Sequence, residues 1–528
     1  MLKSYKMLSI VTAAFALFVA ISFFFKVDYM MSISFWGIFI YLIVVCNKKS
    51  ILRTTTIETI GWKGKVVIAV VCLGVILLCI LPMDLAPFWN GEIPDHRNQY
   101  ELLADSILEG HIYIDYDDVD PKLLNMNNPY DTQARYDNNV SYHWDHAFYE
   151  GHYYMYFGVV PVFLLFIPFK VITGNSLVTY QATQFFVMMS IIAFFVLFYL
   201  IAKKYFSKLP LCLYILMTFA ICLISLGYCV QFPALYCTAI SSGICFMLWS
   251  LLLYFYAVMY EQKPVRQVSI ATLGALMGAL AFGCRPPIAL INLLAIPLAA
   301  YYAKNNKGKH LIRNFAIIAI PYILIGILLM LYNYLRFDSP FEFGQTYQLT
   351  AVDQTMYTDF WKHLDIKGLL SGLHYNFLYA PSMNMRFPYF NYGGFLVTYP
   401  LMWLMPLCLV QDKVREAIKN EGIKIMVYFI ALVPVIITFF DSYWAPELCE
   451  RYRLDAYFIF GILTFLAIGY RYKTAENKEM VISLTCVCSV LSILVAFLLF
   501  MQPNGANFAE YFPEAADKIK KIMLFKKF

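Results

Sequence analysis

Phe157-Gly158-Val159-Val160-Pro161-Val162-Phe163-Leu164-Leu165-Phe166-Ile167-Pro168-Phe169-Lys170-Val171-Ile172-Thr173 is the stretch on which the fold turns. It is apolar like a membrane span, yet it is short, holds Pro161 and Pro168, and ends at Lys170 and Gly174. Proline removes a backbone donor and breaks the helical ladder, and broken backbone at membrane depth is tolerated only where protein shelters it. If the stretch crosses, the basic loop from Lys48 to Lys65 falls opposite the later basic loops. If it enters and returns, all of them share one face with Lys3 and Lys6. The later loops are Lys203 to Lys208, Lys263 to Arg266, Lys304 to Arg313, Lys413 to Lys424 and Arg471 to Lys478. Short loops rich in Lys and Arg stay cytoplasmic, so the second reading is expected.

Outward from it lie apolar runs near 7–25, 29–46, 65–83, 178–201, 209–229, 236–259, 268–284, 288–303, 314–335, 394–410, 424–441, 454–470 and 480–501. Of the 528 residues 61% are hydrophobic and 14% charged, where soluble domains carry roughly 25% charged residues. The chain therefore reads as an all-α polytopic membrane protein of about 13 transmembrane helices plus one re-entrant segment. It is placed in the cell membrane, N-terminus cytoplasmic and C-terminus outside. Lys518, Lys520, Lys521, Lys526 and Lys527 in the tail oppose that last placement. Met1 to Phe25 lacks a small-residue cleavage site and is read as the first span. The cysteines sit mostly inside apolar runs and form no metal-type pair.

Just before the re-entrant stretch, a polar segment from Asp84 to Phe157 opens Pro94-Asp95-His96-Arg97-Asn98-Gln99-Tyr100 and closes on Trp144-Asp145-His146 and Tyr149 to Tyr154. Between Asp84 and Glu150 fourteen acids face three bases, a formal −11 within a chain of net +6. The segment to Phe157 holds five of the eight histidines. A long acidic loop in a protein of short loops is where chemistry is sought. The expected division is 1–83, three spans; 84–157, the outer catalytic loop; 158–335, the core with the re-entrant segment; 336–393, a second outer loop; 394–501, the last spans; and 502–528, the tail.

Pro94 to Glu109 reads as a helix, with an apolar stripe of Leu102, Leu103, Ile107 and Leu108 and a stop at Gly110. Asp95 in its first turn is either a cap or a general base for an acceptor hydroxyl. Asp145 and Glu150 precede an aromatic run that suits either a sugar face or the lipid interface. Asp95, His143, Asp145 and His146 could together ligate a divalent ion such as Mg or Mn; no cofactor is certain. Arg285 before two prolines, Arg336 after Asn333-Tyr334-Leu335, and Arg451 and Arg453 beside Glu447, Glu450 and Asp455 could each pair with a phosphate, an acid or a lipid headgroup.

Asp95-His96 with Tyr100, Ala104, Leu108 and Gly110 resembles the first outer loop of C-type (GT-C fold) integral-membrane glycosyltransferases, as in the protein O-mannosyltransferase and aminoarabinose transferase groups. Tyr149 to Pro161 with Gly174 resembles their returning segment. Asn333 to Gly344 and Glu450-Arg451-Tyr452 with Asp455 resemble later landmarks. The usual acidic pair is here Asp95-His96, and two extra spans precede the loop. The resemblance implies an inverting transfer from a polyprenyl-phosphate-linked sugar donor to a cell-envelope acceptor (glycan, lipid or protein), with the carrier among membrane lipids. Asp95 would be the base, Asp145 a second acid, and Arg285 and Arg453 the phosphate clamp. Further substrate contacts would fall to His96, Tyr100, Tyr153, Tyr154, Arg336 and Arg451.

Two other classes compete. A lipid-linked-oligosaccharide flippase or transporter would bury ionisable groups at mid-membrane, where 178–201, 209–229, 236–259 and 480–501 have none. A polysaccharide polymerase or ligase would favour an arginine-rich outer loop over an acidic one. Nothing calls for a nucleic-acid partner.

Overall fold

In hydrocarbon every backbone N–H and C=O must be bonded within the chain, so apolar runs of this length become helices. The structure, a computed structural model, describes residues 41–84 (without 43, 44 and 48), 98–305 (without 117), 310–357, 365–380, 392–444, 450–500 and Asp517. Among these residues ten helices are long and apolar enough to cross a membrane. They are Trp62–Ile80, Thr179–Tyr205, Leu211–Gln231, Leu235–Met259, Pro264–Phe282, Pro286–Lys304, Leu311–Phe337, Lys424–Ser442, Glu450–Thr474 and Lys478–Phe497. The chain is thus an all-α polytopic membrane protein. The expected span 7–25, most of 29–46 and nearly all of the tail lie outside the described residues. The expected span 394–410 is instead two short helices, Phe395–Thr398 and Pro400–Leu409. Tyr399, forced extended by the following Pro400 (φ −121°, ψ 102°), divides them.

Leu211–Gln231 and Glu450–Thr474 form the centre of the bundle, almost wholly buried. Glycines let the chain approach closely here. A Cβ on Gly461 would come 2.4 Å from Ile221 Cγ2, and one on Gly469 would come 2.4 Å from Phe206. Phe198 stacks on Phe465 at 4.3 Å beside them. Leu311–Phe337 is peripheral and presents Leu324, Leu328, Leu331 and Leu335 outward. Such a face suits lipid, which is as apolar as leucine itself.

The two ends of the bundle differ in chemistry. At one end Ser207 donates to Glu58 (3.1 Å), Lys473 donates to the Tyr205 carbonyl (3.3 Å) and pairs with Glu421, Lys413 pairs with Glu476, and Arg53 with Glu479. The basic loops around 48–65, 203–208, 413–424 and 471–478 therefore gather on one face. At the opposite end Gln184 donates to the Ile80 carbonyl at 2.9 Å. Trp62–Ile80 and Thr179–Tyr205 are thus antiparallel neighbours, and everything between Leu81 and Val178 begins and ends on that second face.

Residues 157–173 accordingly do not cross. They form a π-helical turn, Val162–Phe166, running into the helix Ile167–Thr173. At 1.5 Å per residue this reaches about 18 Å, short of the roughly 30 Å hydrocarbon core. Its entry is wedged on the bundle. Val160 N–H donates to the Gly283 carbonyl at 3.0 Å, and a Cβ on Gly158 would lie 2.2 Å from the Cys284 carbonyl oxygen. Only glycine fits there, and the contact seats the segment on the helix break that carries Arg285.

The acidic loop is folded over its described residues from Asn98 onward. The helix Gln99–Glu109 ends on Gly110 in the left-handed region (φ 98°), as its sequence predicts, and Tyr100 stacks on Phe166 at 5.5 Å. Glu101 caps the Thr179–Tyr205 helix by accepting from the Thr179 N–H (2.6 Å) and hydroxyl (2.9 Å). Burial raises its pKa and these bonds work against the rise. Three short antiparallel strands follow, β1 (His146–Tyr149), β2 (His152–Tyr154) and β3 (Gln348–Leu349), in the order β2-β1-β3. Because β3 comes from the second loop, the two polar loops share one sheet.

Candidate functional site

Where the sheet meets the bundle lies a cavity of about 910 Å³. Its walls come from Trp144, Asp145 and the Tyr156–Val159 turn, from Tyr236, from the break at Gly283–Pro287, from Leu329 to Arg336, from the Phe343–Gln354 segment, and from Asp441, Arg451 and Tyr452. Leu329, Tyr332 and Asn333 face it from the Leu311–Phe337 helix, while Leu328, Leu331 and Leu335 on the same helix point outward. One helix thickness therefore separates the cavity from the lipid-facing surface.

Three of the four arginines singled out in the sequence line this cavity, in different electrostatic states. Arg285 Nε donates to both Asp455 oxygens at 2.8 Å, and its Nη2 lies 2.7 Å from Oδ2. Burial opposes its charge, Asp455 more than offsets that, and Asp441 adds to the same effect, so the guanidinium is held above its ordinary pKa. Arg285 is thus already neutralised. Arg336 is 5% exposed and donates to the Met155 carbonyl and Asn333 Oδ1, both at 2.7 Å. Its guanidinium lies 4.1 Å from the Tyr332 ring centroid and 4.6 Å from that of Phe337. Among the described residues no carboxylate stands within ion-pair distance of it; Glu342 acts only at longer range. Its buried Nε has no hydrogen-bond partner. Arg451 lies over Tyr236 at 4.0 Å. Arg453 turns away, donating to the Gly393 carbonyl at 2.5 Å, and does not line the cavity.

Asp145 sits at the cavity wall in the left-handed region (φ 59°), fixed by its N–H bond to the Leu349 carbonyl (3.0 Å). Its carboxylate accepts from Gln348 Nε2 (3.0 Å), Tyr156 OH (3.4 Å) and Tyr236 OH. Burial, reinforced by Asp145, raises the Tyr156 pKa far above the ordinary phenol value, which keeps it protonated as a donor. Asp441, 4% exposed, was not among the sequence candidates. It lines the cavity and lies close enough to Arg285 and Asp455 to interact electrostatically with both. The only sequence signal for it is an acid closing the apolar run 424–441.

Other candidates serve the loop fold. Tyr153 is buried between Tyr116, His143 and Phe148, and Tyr154 packs on Phe337; neither lines the cavity. Tyr100 is fully buried under Phe166. His143 bonds Asp118 at 3.0 Å and stacks on Tyr116, and His146 bonds Tyr116 OH at 2.9 Å and the Trp144 carbonyl at 2.8 Å. Among the described residues no three His, Cys, Asp or Glu side chains come together as a metal site. Asp95 and His96 lie outside the described residues; the helix that follows them places Gln99 Nε2 2.9 Å from the Asp145 carbonyl.

Fold and site together define a polytopic membrane protein with a charged cavity at the face opposite its basic loops. No protein-family model matches the chain, and no curated protein matches it.

Proposed function

We propose that the protein is a membrane glycosyltransferase that moves a sugar from a polyprenyl-phosphate carrier to a cell-envelope acceptor on the outer face. The observation that supports this best is a buried arginine without a carboxylate partner, Arg336, in a cavity that also holds Asp145 and Asp441. Burying a cation without its counterion is costly, and a phosphate bound beside it would relieve that cost. The carrier chain would lie along the outward face of Leu311–Phe337, its phosphate reaching Arg336 and Arg451. This moves the clamp from the expected Arg285 and Arg453 to Arg336 and Arg451. Asp95, implied by the resemblance, takes the proton of the acceptor hydroxyl as the sugar–phosphate bond breaks. Asp145, held by Gln348, Tyr156 and Tyr236, would orient the acceptor.

Arg336→Met tests the clamp, because it keeps the stem and removes the charge. Hydrogen bonds to a charged group are worth about 1.5–3 kcal/mol, so affinity for a polyprenyl-phosphate lipid should fall roughly 10- to 150-fold. Native mass spectrometry or a lipid-binding titration on folded protein reads this. Unchanged affinity would remove Arg336 from the site, and a flippase would bind the carrier without transferring its sugar.

A further inference from the structure

The cavity has a charge-rich half and a mostly neutral, polar one, and the second meets the Asp145 carboxylate through Gln348. The Phe343–Gln354 segment contributes Gln345, Gln348, Thr350 and Gln354 to the lining, and Trp144 lines the cavity as well. Gln345 Nε2 donates to Gln348 Oε1 (3.3 Å) and Gln354 Oε1 (3.2 Å), and Gln348 donates on to Asp145 (3.0 Å). The strip is held from behind. β3 pairs with β1, and Arg135 Nη2 donates to the Thr350 carbonyl at 2.6 Å. Arg135 is itself buried, bonded to the Pro129 carbonyl and set over Tyr142. A primary amide carries two donors and an acceptor oxygen with two lone pairs, so this connected set keeps both kinds of valence for a ligand. Such a surface matches hydroxyl groups, which donate and accept, and offers a phosphate no cation. Trp144, 37% exposed, adds a flat apolar face at the rim, suited to the C–H face of a pyranose. The volume, about 910 Å³, lies near the top of the roughly 300–1,000 Å³ range of ligand sites, leaving room for two sugar residues together.

We propose that the Trp144, Gln345 and Gln354 half is a binding subsite for a neutral sugar residue, which makes the acceptor a glycan and not a lipid headgroup or a protein side chain. The acceptor role rests on the transferase reading; the sugar binding does not. The test uses the full chain in nanodiscs and saturation-transfer NMR. The probes are neutral gluco-, manno- and galacto-configured trisaccharides, with trigalacturonate as the acidic comparator. At least one neutral trisaccharide should bind saturably and more tightly than trigalacturonate. Gln354→Leu should weaken it about fivefold and Trp144→Leu about tenfold, with polyprenyl-phosphate affinity unchanged. Gln345→Leu provides a second amide variant should either of these fail to fold. No neutral binding, a preference for the acidic sugar, or binding indifferent to these variants would overturn the subsite. Neutral-sugar binding without any sugar transfer would instead count against the transferase reading, and transfer to a lipid or peptide without sugar binding would spare that reading and sink the subsite.

Discussion

Arg285→Ala is expected to destabilise the protein by about 3–5 kcal/mol, the usual result of removing one partner from a buried ion pair. Asp455 is fully buried and holds Arg285 through a two-oxygen contact, with Asp441 nearby. Alanine would leave two carboxylates facing each other across the cavity wall without a cation. Replacing Arg285 by Met and Asp455 by Leu together should recover most of the loss, because an apolar pair of similar volume removes the orphaned charge. Denaturation of the purified variants as a double-mutant cycle measures this. A stable Arg285→Ala protein that has lost only lipid-phosphate affinity would return Arg285 to the clamp that its sequence position suggests.

Asp95→Asn is expected to cut sugar transfer by about 10²–10⁴-fold, the usual loss on removing a general base. The helix expected from Pro94 begins in the structure at Gln99, with Asn98 at its N-cap, so Asp95 precedes it and is not its cap. Asparagine keeps the shape of aspartate but cannot take the acceptor proton, so stability and donor binding should be nearly unchanged. Asp441→Asn is the control, since it alters a cavity carboxylate that lies against the Arg285–Asp455 pair. It should reduce transfer by no more than about tenfold. The reverse order of effects, read from initial rates on folded protein, would assign the base to Asp441.

Ten of the expected spans were legible because lipid allows few solutions for an apolar run, whereas 394–410 is divided at Tyr399 by Pro400. Four of the basic loops, around 48–65, 203–208, 413–424 and 471–478, meet on one face as their charge suggests. The site was less legible. Arg451 and Arg453 look equivalent in sequence, yet at about 100° per residue two positions apart fall on different sides of a helix. One meets Tyr236 at the cavity and the other bonds the Gly393 carbonyl. Tyr153 and Tyr154 are consumed by the sheet, while Tyr156, just beyond β2, reaches Asp145. The glutamine strip left no local signal, because it is aligned with Asp145 only when β3 joins β1. Asp441 resembles any acid at the end of a span until the Arg285–Asp455 pair is seen beside it.

The most direct test of the account is transfer itself. Full-length protein in nanodiscs is given a polyprenyl-phosphate donor carrying a radiolabelled sugar, with a cell-envelope fraction as acceptor. The account predicts label leaving the lipid for the acceptor, and a much lower rate in Arg336→Met protein of normal stability. Donors covering the common hexoses and pentoses that all keep their label with the unmutated protein, or transfer indifferent to Arg336, would contradict it.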